Sequence, residues 1–598
     1  MKIRKHYLAL RRCFPQLTED VPLETTLDEL SQLLDCTHRN MVLLLKRMQQ
    51  EGWLTWAPKK GRGNRSTLLF TSRQEDILML EAQEMVHKHN LRSALELLQT
   101  YEASPALREL FQDWLSGQFG FRSEVQGQRR TDILRFPLAQ SIHSLDPASM
   151  HYSGESHLVN QLFDGLVRMD AKGQIILPHL ALGWDVDESR TLWTFYLRKG
   201  VQFHHGRELL SSDVRFSLER LQKLAPRGLF SWAYTNIAAM ETPDDTTIRI
   251  RLHERNELFL AFLTTSRASI VPQDICEAAD SGLMGTSPVG TGPFRLIGHE
   301  QGIWLLDAFA AYFQGRGFLD RVEVWTVPEG ARQEELEPAG GPGNEPLQEM
   351  HHVRVSDMTV QQWQQARQSG MTAKFITVNE HKAGPFTNAP MRHALQLALD
   401  RRPLSRLLPA DCLDAGNSFI QQKSSHDMSS WSLDQVEERL RAAGYQGELF
   451  TLATIPQYAS DAVLVQQLCA RAGIQLNIEL LSAEDFKGEA RLKADLLLFA
   501  IVLDEHRELR LVDLYKSMQQ HAVLEVHEQL ETALHRLLME PDPAQRLDLL
   551  ASIEDGLIER HSLLFLYKKH LKTAFHPSIR GISLDSLGWV RFRDIWFT

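Results

Sequence analysis

The sequence lacks the features that most directly indicate a membrane protein or a metalloprotein. No stretch approaches the roughly 18 uninterrupted apolar residues of a membrane-spanning helix. Its five cysteines are Cys13, Cys36, Cys276, Cys412 and Cys469. None of them forms the short-spaced pairs that zinc or redox sites require, so we expect free thiols, as in a reducing compartment.

A secretory signal is also missing from the start of the sequence. The basic residues near Met1 are followed by Arg11 and Arg12, before an apolar region of about 7–15 residues can form. With Met1 as the first residue, the sequence therefore predicts a cytoplasmic protein with no membrane partner.

The sequence carries few signatures of catalysis or of cofactor binding. It has no GxSxG and no HExxH motif. The run from Pro288 to Pro293 has Thr291 where a phosphate-binding loop needs lysine, so we interpret it as a tight structural turn. The neighbours His204 and His205 would point apart on a strand, which favours packing over metal binding. We predict that the protein is not an enzyme, binds no cofactor and has no metal site.

The sequence contains enough apolar residues for several folded domains, and its charge is distributed unevenly along the chain. Its 598 residues are 43% apolar and 24% charged, as in ordinary globular proteins. Residues 1–72 hold twelve Lys and Arg against seven Asp and Glu, a net charge of +5. Since the whole chain has a net charge of −11, residues 73–598 have a net charge of −16. A basic head on an acidic body indicates nucleic acid as a partner of the head alone.

The basic head has the pattern of a helix-turn-helix. Residues Thr26 to Glu29 form a capping-box motif, and leucines follow at helical spacing. After a turn near Cys36, Thr37 is suited to be the N-cap of a second helix. The apolar stripe of that helix consists of Met41, Leu44, Leu45 and Met48. One buried stripe predicts that the opposite face of this helix is open to solvent.

The open face and the residues after it carry groups that can contact DNA. At about 100° per residue, Arg39, Leu43 and Lys46 fall opposite the apolar stripe. Two strand-like runs, 53–56 and 66–70, flank the basic loop PKKGRGNR, which predicts a β-hairpin wing that can lie along phosphates. A basic helix face alone is often merely solvated. The combination of a capped helix, a short turn, an amphipathic basic helix and a basic hairpin is what favours DNA binding. The residues predicted to bind DNA are Thr37, His38, Arg39, Asn40, Leu43, Lys46, Arg47, Lys59, Lys60, Arg62 and Arg65.

The head, in the segment from ETTLDELSQLL to the strand STLLF, resembles the N-terminal domain of the SgrR family of transcriptional regulators. The turn, the EGWLTW segment and the GRG-x-R wing carry the resemblance. It implies a winged helix-turn-helix over residues 1–72 that binds double-stranded DNA, with the helix at 37–50 as reader. Residues 73–125 read as a helical connector, either packed on its neighbours or forming a homodimer contact.

From residue 126 to residue 598 the sequence alternates strand and helix patterns. The segments DGLVR, LRKGVQFHHGRELLSSDV, PVGTGPF and NAPMRHALQLALDR resemble the peptide/nickel family of solute-binding proteins, family 5. This resemblance implies a two-lobed α/β body of the periplasmic-binding-protein type II, with a ligand cleft and no catalysis. We expect lobe 1 at about 126–370 plus 545–598 and lobe 2 at about 371–544.

The two resemblances together predict a transcription regulator whose solute-binding-like body senses a small molecule. The SgrR resemblance points to sugar-phosphate stress and to a sugar phosphate as ligand, while a peptide-like ligand stays open. The tryptophan and the proline-rich part of the late peptide-binding motif are missing between 494 and 515. Only Asp504 stands in the acidic position, and it is the one ligand-binding residue we predict.

The alternative function is the substrate-binding component of a peptide-type ABC importer, which would need export. If the chain is a regulator, the basic head and the receptor-like body are expected to be separable. A fragment ending near Arg73 is predicted to keep DNA specificity, and a fragment from Gln126 onward to fold alone.

Overall fold

The computed structural model of this chain describes residues 2–59, 65–138, 142–170, 173–278, 283–300, 302–326, 364–399, 418–420, 433–575, 579–581 and 590–597. Over these residues the predicted multidomain architecture is present: a winged helix-turn-helix, a helical segment and an α/β body.

The head is built from six helices and a small sheet. Its elements are α1 (Lys2–Arg12), β1 (Pro22–Thr25), α2 (Leu27–Leu33), α3 (His38–Gln50), β2 (Leu54–Ala57), β3 (Ser66–Phe70), α4 (Gln74–His87), α5 (Leu91–Thr100) and α6 (Pro105–Ser116). The three strands lie in the order β1-β3-β2, with both pairs antiparallel. The sequence predicted the β2–β3 hairpin, whereas β1 and α1 were not predicted.

Local sequence explains where the two central helices begin. The Thr26 side chain accepts a hydrogen bond from the Glu29 backbone amide, while Glu29 reaches back to the Thr26 amide, so the predicted capping box at α2 is confirmed. Thr37 caps α3 by accepting from the Asn40 amide, as predicted. The stripe from Met41 to Met48 is buried, which fixes the face that α3 turns to the core.

The helical segment after the wing packs on the winged helix-turn-helix rather than standing apart from it. Buried residues of α1, α3, the wing and α4 to α6 form one hydrophobic cluster. The Tyr7 hydroxyl donates to the Ser72 carbonyl oxygen at 2.6 Å, and Arg4 of α1 pairs with Glu84 of α4. Because α1 and α4 complete this core, a fragment ending near Arg73 would expose it.

The described residues of the first part of the body contain a five-stranded sheet, a four-stranded sheet, a small two-stranded sheet and several helices. Its elements are β4 (Gly120–Gln126), β5 (Arg129–Leu138), α7 (Ser153–Leu162), β6 (Val167–Met169), β7 (Ile176–Pro178), β8 (Ala181–Val186), β9 (Leu192–Leu197), α8 (Ser211–Leu224), α9 (Ser231–Tyr234), β10 (Ile237–Asp244), β11 (Thr247–Leu252), α10 (Phe259–Phe262), α11 (Gln273–Ala278), α12 (Leu283–Thr286), β12 (Phe294–Glu300), β13 (Ile303–Ala308) and β14 (Arg321–Thr326). The strand orders are β12-β13-β14-β5-β4 and β10-β11-β9-β8.

The glycine-rich run before β12 is a tight structural turn, as predicted. A Cβ atom on Gly290 would lie 2.1 Å from the Leu162 carbonyl oxygen, and one on Gly292 would lie 2.4 Å from the Leu162 carbonyl carbon. The turn is held by His204, whose ring contacts both glycine backbones. The glycines are therefore required for close packing against the end of α7.

The second part of the body is one mixed sheet with helices on its faces. Its elements are β15 (Gln364–Val378), α13 (Ala389–Ala398), α14 (Leu433–Ala443), β16 (Leu449–Thr454), α15 (Ala459–Arg471), β17 (Gln475–Leu480), α16 (Ala483–Lys487), β18 (Leu496–Leu503), α17 (Arg507–Gln519), α18 (Leu524–Met539), α19 (Pro543–Glu559), β19 (Leu563–Phe575), β20 (Ile579–Arg580) and β21 (Trp596–Phe597). Its five-stranded sheet has the order β17-β16-β18-β15-β19, whereas β20 and β21 pair with each other in the C-terminal segment that returns to the first part of the body.

The chain passes between the two parts of the body more than once, as the family resemblance implied. After β19 it returns to the first part, where Phe592 and Phe597 join the core under β5 and β12. The domain limits remain a proposal, but strand pairing bears on two of them. Residues 120–126 form the edge strand of the first body sheet, and β19 pairs with β15 in the second.

The head and the body share a hydrophobic contact. The same cluster that holds the head together also contains Ile303 and Trp325 of the body sheet. Trp325 is 1% exposed, and its ring lies 5.9 Å from that of Phe119 and 5.7 Å from that of His89. Because one core contains residues of both parts, the head packs directly against the body sheet.

Candidate functional site

The exposed face of α3 is the first candidate site. Since the stripe from Met41 to Met48 is buried, the opposite residues are turned to solvent. Arg39, Lys46 and Arg47 are all exposed, and Leu43 between them is 52% exposed. The predicted residues Thr37, His38 and Asn40 lie at the exposed start of the same helix. The structure thus brings the seven predicted helix residues onto one accessible surface.

The cations of this face differ in whether they are already paired. The His38 ring contacts the Asp28 carboxylate of α2. Within the described part of the chain, no ion pair involves Arg39, Lys46 or Arg47. Their positive charge is therefore available to a negatively charged partner, and a DNA groove lined by phosphates is one.

The two described cations of the wing pair with acidic side chains, and the sequence pattern did not indicate these pairings. Lys59 Nζ lies 3.3 Å from Glu24 Oε1, and Arg65 Nη2 lies 2.8 Å from Glu29 Oε1. The hydrogen bonds from Thr25 and Arg65 lower the pKa of Glu29. The pairing of β1 with β3, which places Thr25 opposite Ser66, brings these acidic and basic residues together.

Both wing ion pairs are exposed, so each contributes little stability and a DNA phosphate can compete for the cation. The other two predicted wing residues, Lys60 and Arg62, lie outside the described residues. We call one exposed surface the reading face: it consists of residues 37–40, 42, 43, 46 and 47 together with residues 59 and 65 of the wing.

The second candidate site is a cavity of about 190 Å³ in the body. Its walls come from the first part of the body, the returning C-terminal segment, and Glu505 and His506 after β18. The ring of His506 is hydrogen-bonded to the Thr264 hydroxyl at 2.8 Å, which joins the two parts across the cavity. The volume is below the roughly 300–1,000 Å³ of pockets for drug-sized ligands, so it suits a small solute.

A buried carboxylate, Asp164, organises one wall of the cavity. It accepts hydrogen bonds from the Thr291 hydroxyl at 2.8 Å and the Tyr312 hydroxyl at 3.1 Å, and it contacts the His179 ring at 2.7 Å. Burial raises the pKa of Asp164, but the neighbouring His179 and the two hydroxyl donors outweigh burial and lower it overall. The Asp164 carboxylate is hydrogen-bonded within the protein, so it shapes the wall of the cavity rather than offering a free acceptor to a ligand.

Three arginines, Arg168, Arg591 and Arg593, line the same cavity together with three acidic residues, Asp164, Glu505 and Asp594. Arg593 Nε lies 3.5 Å from Asp594 Oδ1. Arg593 donates to Gln314 Oε1 at 2.8 Å and lies over the Tyr312 ring at 5.3 Å. Arg168 has a buried Nε with no hydrogen-bond partner. Among the described residues, neither Arg168 nor Arg591 takes part in an ion pair. Arginine forks match phosphate and carboxylate oxygens, so Arg168 and Arg591 are the cavity groups that can bind an anion.

Asp504, the predicted ligand-binding residue, lies just before the cavity residues Glu505 and His506 but is not among those that line it. Its carboxylate oxygens accept three hydrogen bonds from Arg510, at 2.8 to 3.1 Å. The Asp504 side chain has no exposed surface. Its bonding partner in this structure is an arginine of α17, which the sequence pattern did not indicate.

Asp504→Ala is expected to lower the free energy of unfolding by about 3 kcal/mol, because it leaves Arg510 without its carboxylate. The Arg510 side chain is only 20% exposed. Urea denaturation of the full chain measures the loss. The double variant Asp504→Ala/Arg510→Ala is the control and should lose less than the two single changes together. If Asp504→Ala keeps full stability, the ion pair is not structural.

Two further properties of the described residues, their potential metal ligands and the apolar character of their helices, bear on function. No group of three or more His, Cys, Asp and Glu side chains is placed to hold a metal ion among them. Within the same residues, no helix combines the length and the apolar character that crossing a bilayer requires.

Fold and site together define a class of protein: a winged helix-turn-helix with an exposed cationic helix, joined by a shared core to a two-lobed solute-binding body. Two family models match the chain. Bacterial extracellular solute-binding proteins, family 5 Middle, covers residues 176–517, and Sugar transport-related sRNA regulator N-term covers residues 2–121. The chain belongs to the family 5 solute-binding proteins and carries the N-terminal domain of the SgrR regulators.

Two relatives match the chain over its whole length. The HTH-type transcriptional regulator SgrR of Yersinia enterocolitica is 29% identical over 612 residues, covering 100% of this chain and 99% of its own. The uncharacterized protein YhjP of Bacillus subtilis is 29% identical over 611 residues, covering 100% of both. The chain is an SgrR-like transcriptional regulator with a solute-binding-protein-like domain.

Solved structures support the fold of the body. The periplasmic binding protein DppA from Helicobacter pylori, in complex with the peptide STSA, has a TM-score of 0.64 at 19% identity over 78% of this chain and 98% of its own. The oligopeptide-binding protein AppA of Bacillus subtilis, in complex with a nonapeptide, has a TM-score of 0.60 at 17% identity over 78% and 99%. At this identity the likeness concerns the fold alone.

Proposed function

We propose that the head binds double-stranded DNA through the reading face, with α3 in the major groove and the wing along the phosphates. The observation that carries the proposal is the set of three exposed cations, Arg39, Lys46 and Arg47, for which the described residues provide no ion pair. A helix that presents guanidinium and ammonium groups beside a basic hairpin has the geometry of winged-helix binding to DNA.

Selection of fragments from sheared genomic DNA by the purified full chain tests this function. Specific fragments should be recovered at moderate salt and lost at high salt, because phosphate contacts release counterions. The alternative, a substrate-binding component of a peptide-type importer, would recover no specific fragment. The proposal places the chain in the cytoplasm, where DNA and free thiols such as Cys469 are compatible.

For the body, the proposal is that it senses a small anionic solute in the cavity that Arg168, Arg591 and Arg593 line. Arg168 and Arg591, which have no ion pair among the described residues, support an anion, and the volume of about 190 Å³ supports a small one. The family description of the head refers to sugar transport, which makes a phosphorylated sugar the first candidate and a role in sugar-phosphate stress the first context. The body acts by binding, without catalysis.

Sugar phosphates are therefore expected to stabilise the full chain in a thermal-shift assay. A ligand that binds only the folded state adds about 2.7 kcal/mol at a hundredfold excess over its Kd. Arg591→Ala should abolish most of this gain, whereas Lys223→Ala, an exposed cation on α8, should retain it. Stabilisation by dipeptides and not by phosphate esters would contradict the proposed ligand class.

A further inference from the structure

Two aliphatic side chains stand among the cations of the reading face. Leu43 is 52% exposed and its neighbour Val42 is 48% exposed. Single exposed leucines are ordinary on protein surfaces. Here, however, Leu43 lies four residues after Arg39 and three before Lys46, in the middle of the surface that the proposed function places against DNA.

From this arrangement, and resting on the proposed function, we infer that Leu43, with Val42 beside it, contacts the 5-methyl group of a thymine in the major groove. Thymine is the only ordinary base whose major-groove edge carries a methyl group, and apolar side chains are the groups that read it. The charged ends of Arg39 and Lys46 recognise hydrogen-bond acceptors and not a methyl group, so Leu43 adds a kind of base recognition that these ends do not provide.

The spacing along α3 limits where this thymine lies. At about 1.5 Å per residue, Leu43 is about 6 Å along the helix axis from Arg39 and about 4.5 Å from Lys46. Base pairs are separated by about 3.4 Å. The thymine is therefore expected within about two base pairs of the base or phosphate that Arg39 contacts.

Charge favours DNA over a second copy of this chain as the occupant of the surface. Arg39, Lys46 and Arg47 surround the aliphatic pair, and no acidic side chain of the described residues pairs with them. Two such faces brought together would place like charges opposite each other. A phosphate-lined groove instead supplies the opposite charge around an apolar methyl group.

Uracil substitution tests the inference, because it removes only the thymine methyl group. Duplexes recovered by the full chain are resynthesised with uracil in place of thymine, one position at a time, and their Kd values are measured. At one or two thymines the substitution should weaken binding about fourfold, the effect of one buried methyl group. With Leu43→Ala, the thymine and uracil duplexes should bind equally.

The control is Leu33→Ala, which removes another exposed leucine, 45% exposed, at the end of α2. It should leave the thymine-to-uracil ratio unchanged. The inference is overturned if no thymine position is sensitive in the wild type, or if Leu43→Ala keeps the full ratio. It is overturned equally if Leu43→Ala instead abolishes a dimer. Failure of the full chain to bind any DNA specifically would contradict the proposed function as well.

Discussion

Replacing Arg39, Lys46 and Arg47 together with alanine is expected to weaken binding of a selected duplex by about 3–4 kcal/mol, roughly 100- to 1,000-fold in Kd. One base contact is worth about 1–3 kcal/mol, and each lost phosphate contact adds to it. The three side chains are exposed and lack ion pairs within the described residues, so their removal should leave the fold of the head intact.

The salt dependence separates this effect from a general loss of charge. With 4–6 phosphate contacts, the wild-type log–log slope is expected at about −4 to −5, and the triple variant should flatten it by about 2. The matched control replaces three exposed cations of the body, Lys199, Lys223 and Arg249, and should change neither affinity nor slope. Equal losses in both variants would indicate a nonspecific charge effect and count against the reading face.

Trp325→Ala is the change with the largest expected effect on stability, a loss of about 3–5 kcal/mol in the free energy of unfolding. The side chain is almost fully buried and contacts Phe119 and His89 of the head from a strand of the body. Its Nε1 also donates to Glu323 Oε2 at 3.3 Å, and Glu323 pairs with Arg135. Removing the ring leaves a cavity where head and body meet.

The unfolding of the variant should show what the shared core does. Wild-type chain is expected to lose the head and the adjoining body sheet together in urea, whereas Trp325→Ala should separate them into two transitions. Trp596→Ala is the control, because that side chain is 45% exposed and its loss should cost under about 1 kcal/mol. If the two tryptophan variants are equally stable, the contact does not join the two parts.

Patterns within a few turns of the chain could be predicted from the sequence. The capping box at Thr26, the N-cap at Thr37 and the buried stripe of α3 depend on spacing along one helix, and all three are confirmed. The turn at Gly290 follows from neighbouring residues in the same way.

Contacts between distant parts of the chain could not be predicted. The pairing of Arg65 with Glu29 and that of Asp504 with Arg510 depend on how separate elements fold together. The cavity arginines come from β6 and from the C-terminal segment, more than 400 residues apart in the sequence. The fold resemblance locates two lobes, but it does not indicate which side chains line the space between them.

The predicted separation of head and body needs new limits. A cut at Gln126 removes β4, which pairs with β5 along the edge of the first body sheet. It also removes Phe121, whose ring stacks on Phe597 at 3.7 Å. Since α4 to α6 belong to the core of the head, a head fragment is better ended after α6 and a body fragment begun before Gly120.

We propose that a solute bound in the cavity of the body changes the affinity of the head for DNA. The direct measurement is the Kd of the full chain for its selected duplex, with and without a saturating sugar phosphate that stabilises the chain. Linkage requires that the duplex change the Kd of the sugar phosphate by the same factor. We predict equal and reciprocal changes of about fivefold or more, absent in Arg591→Ala. A duplex Kd that stays constant while the sugar phosphate is bound would contradict the claim.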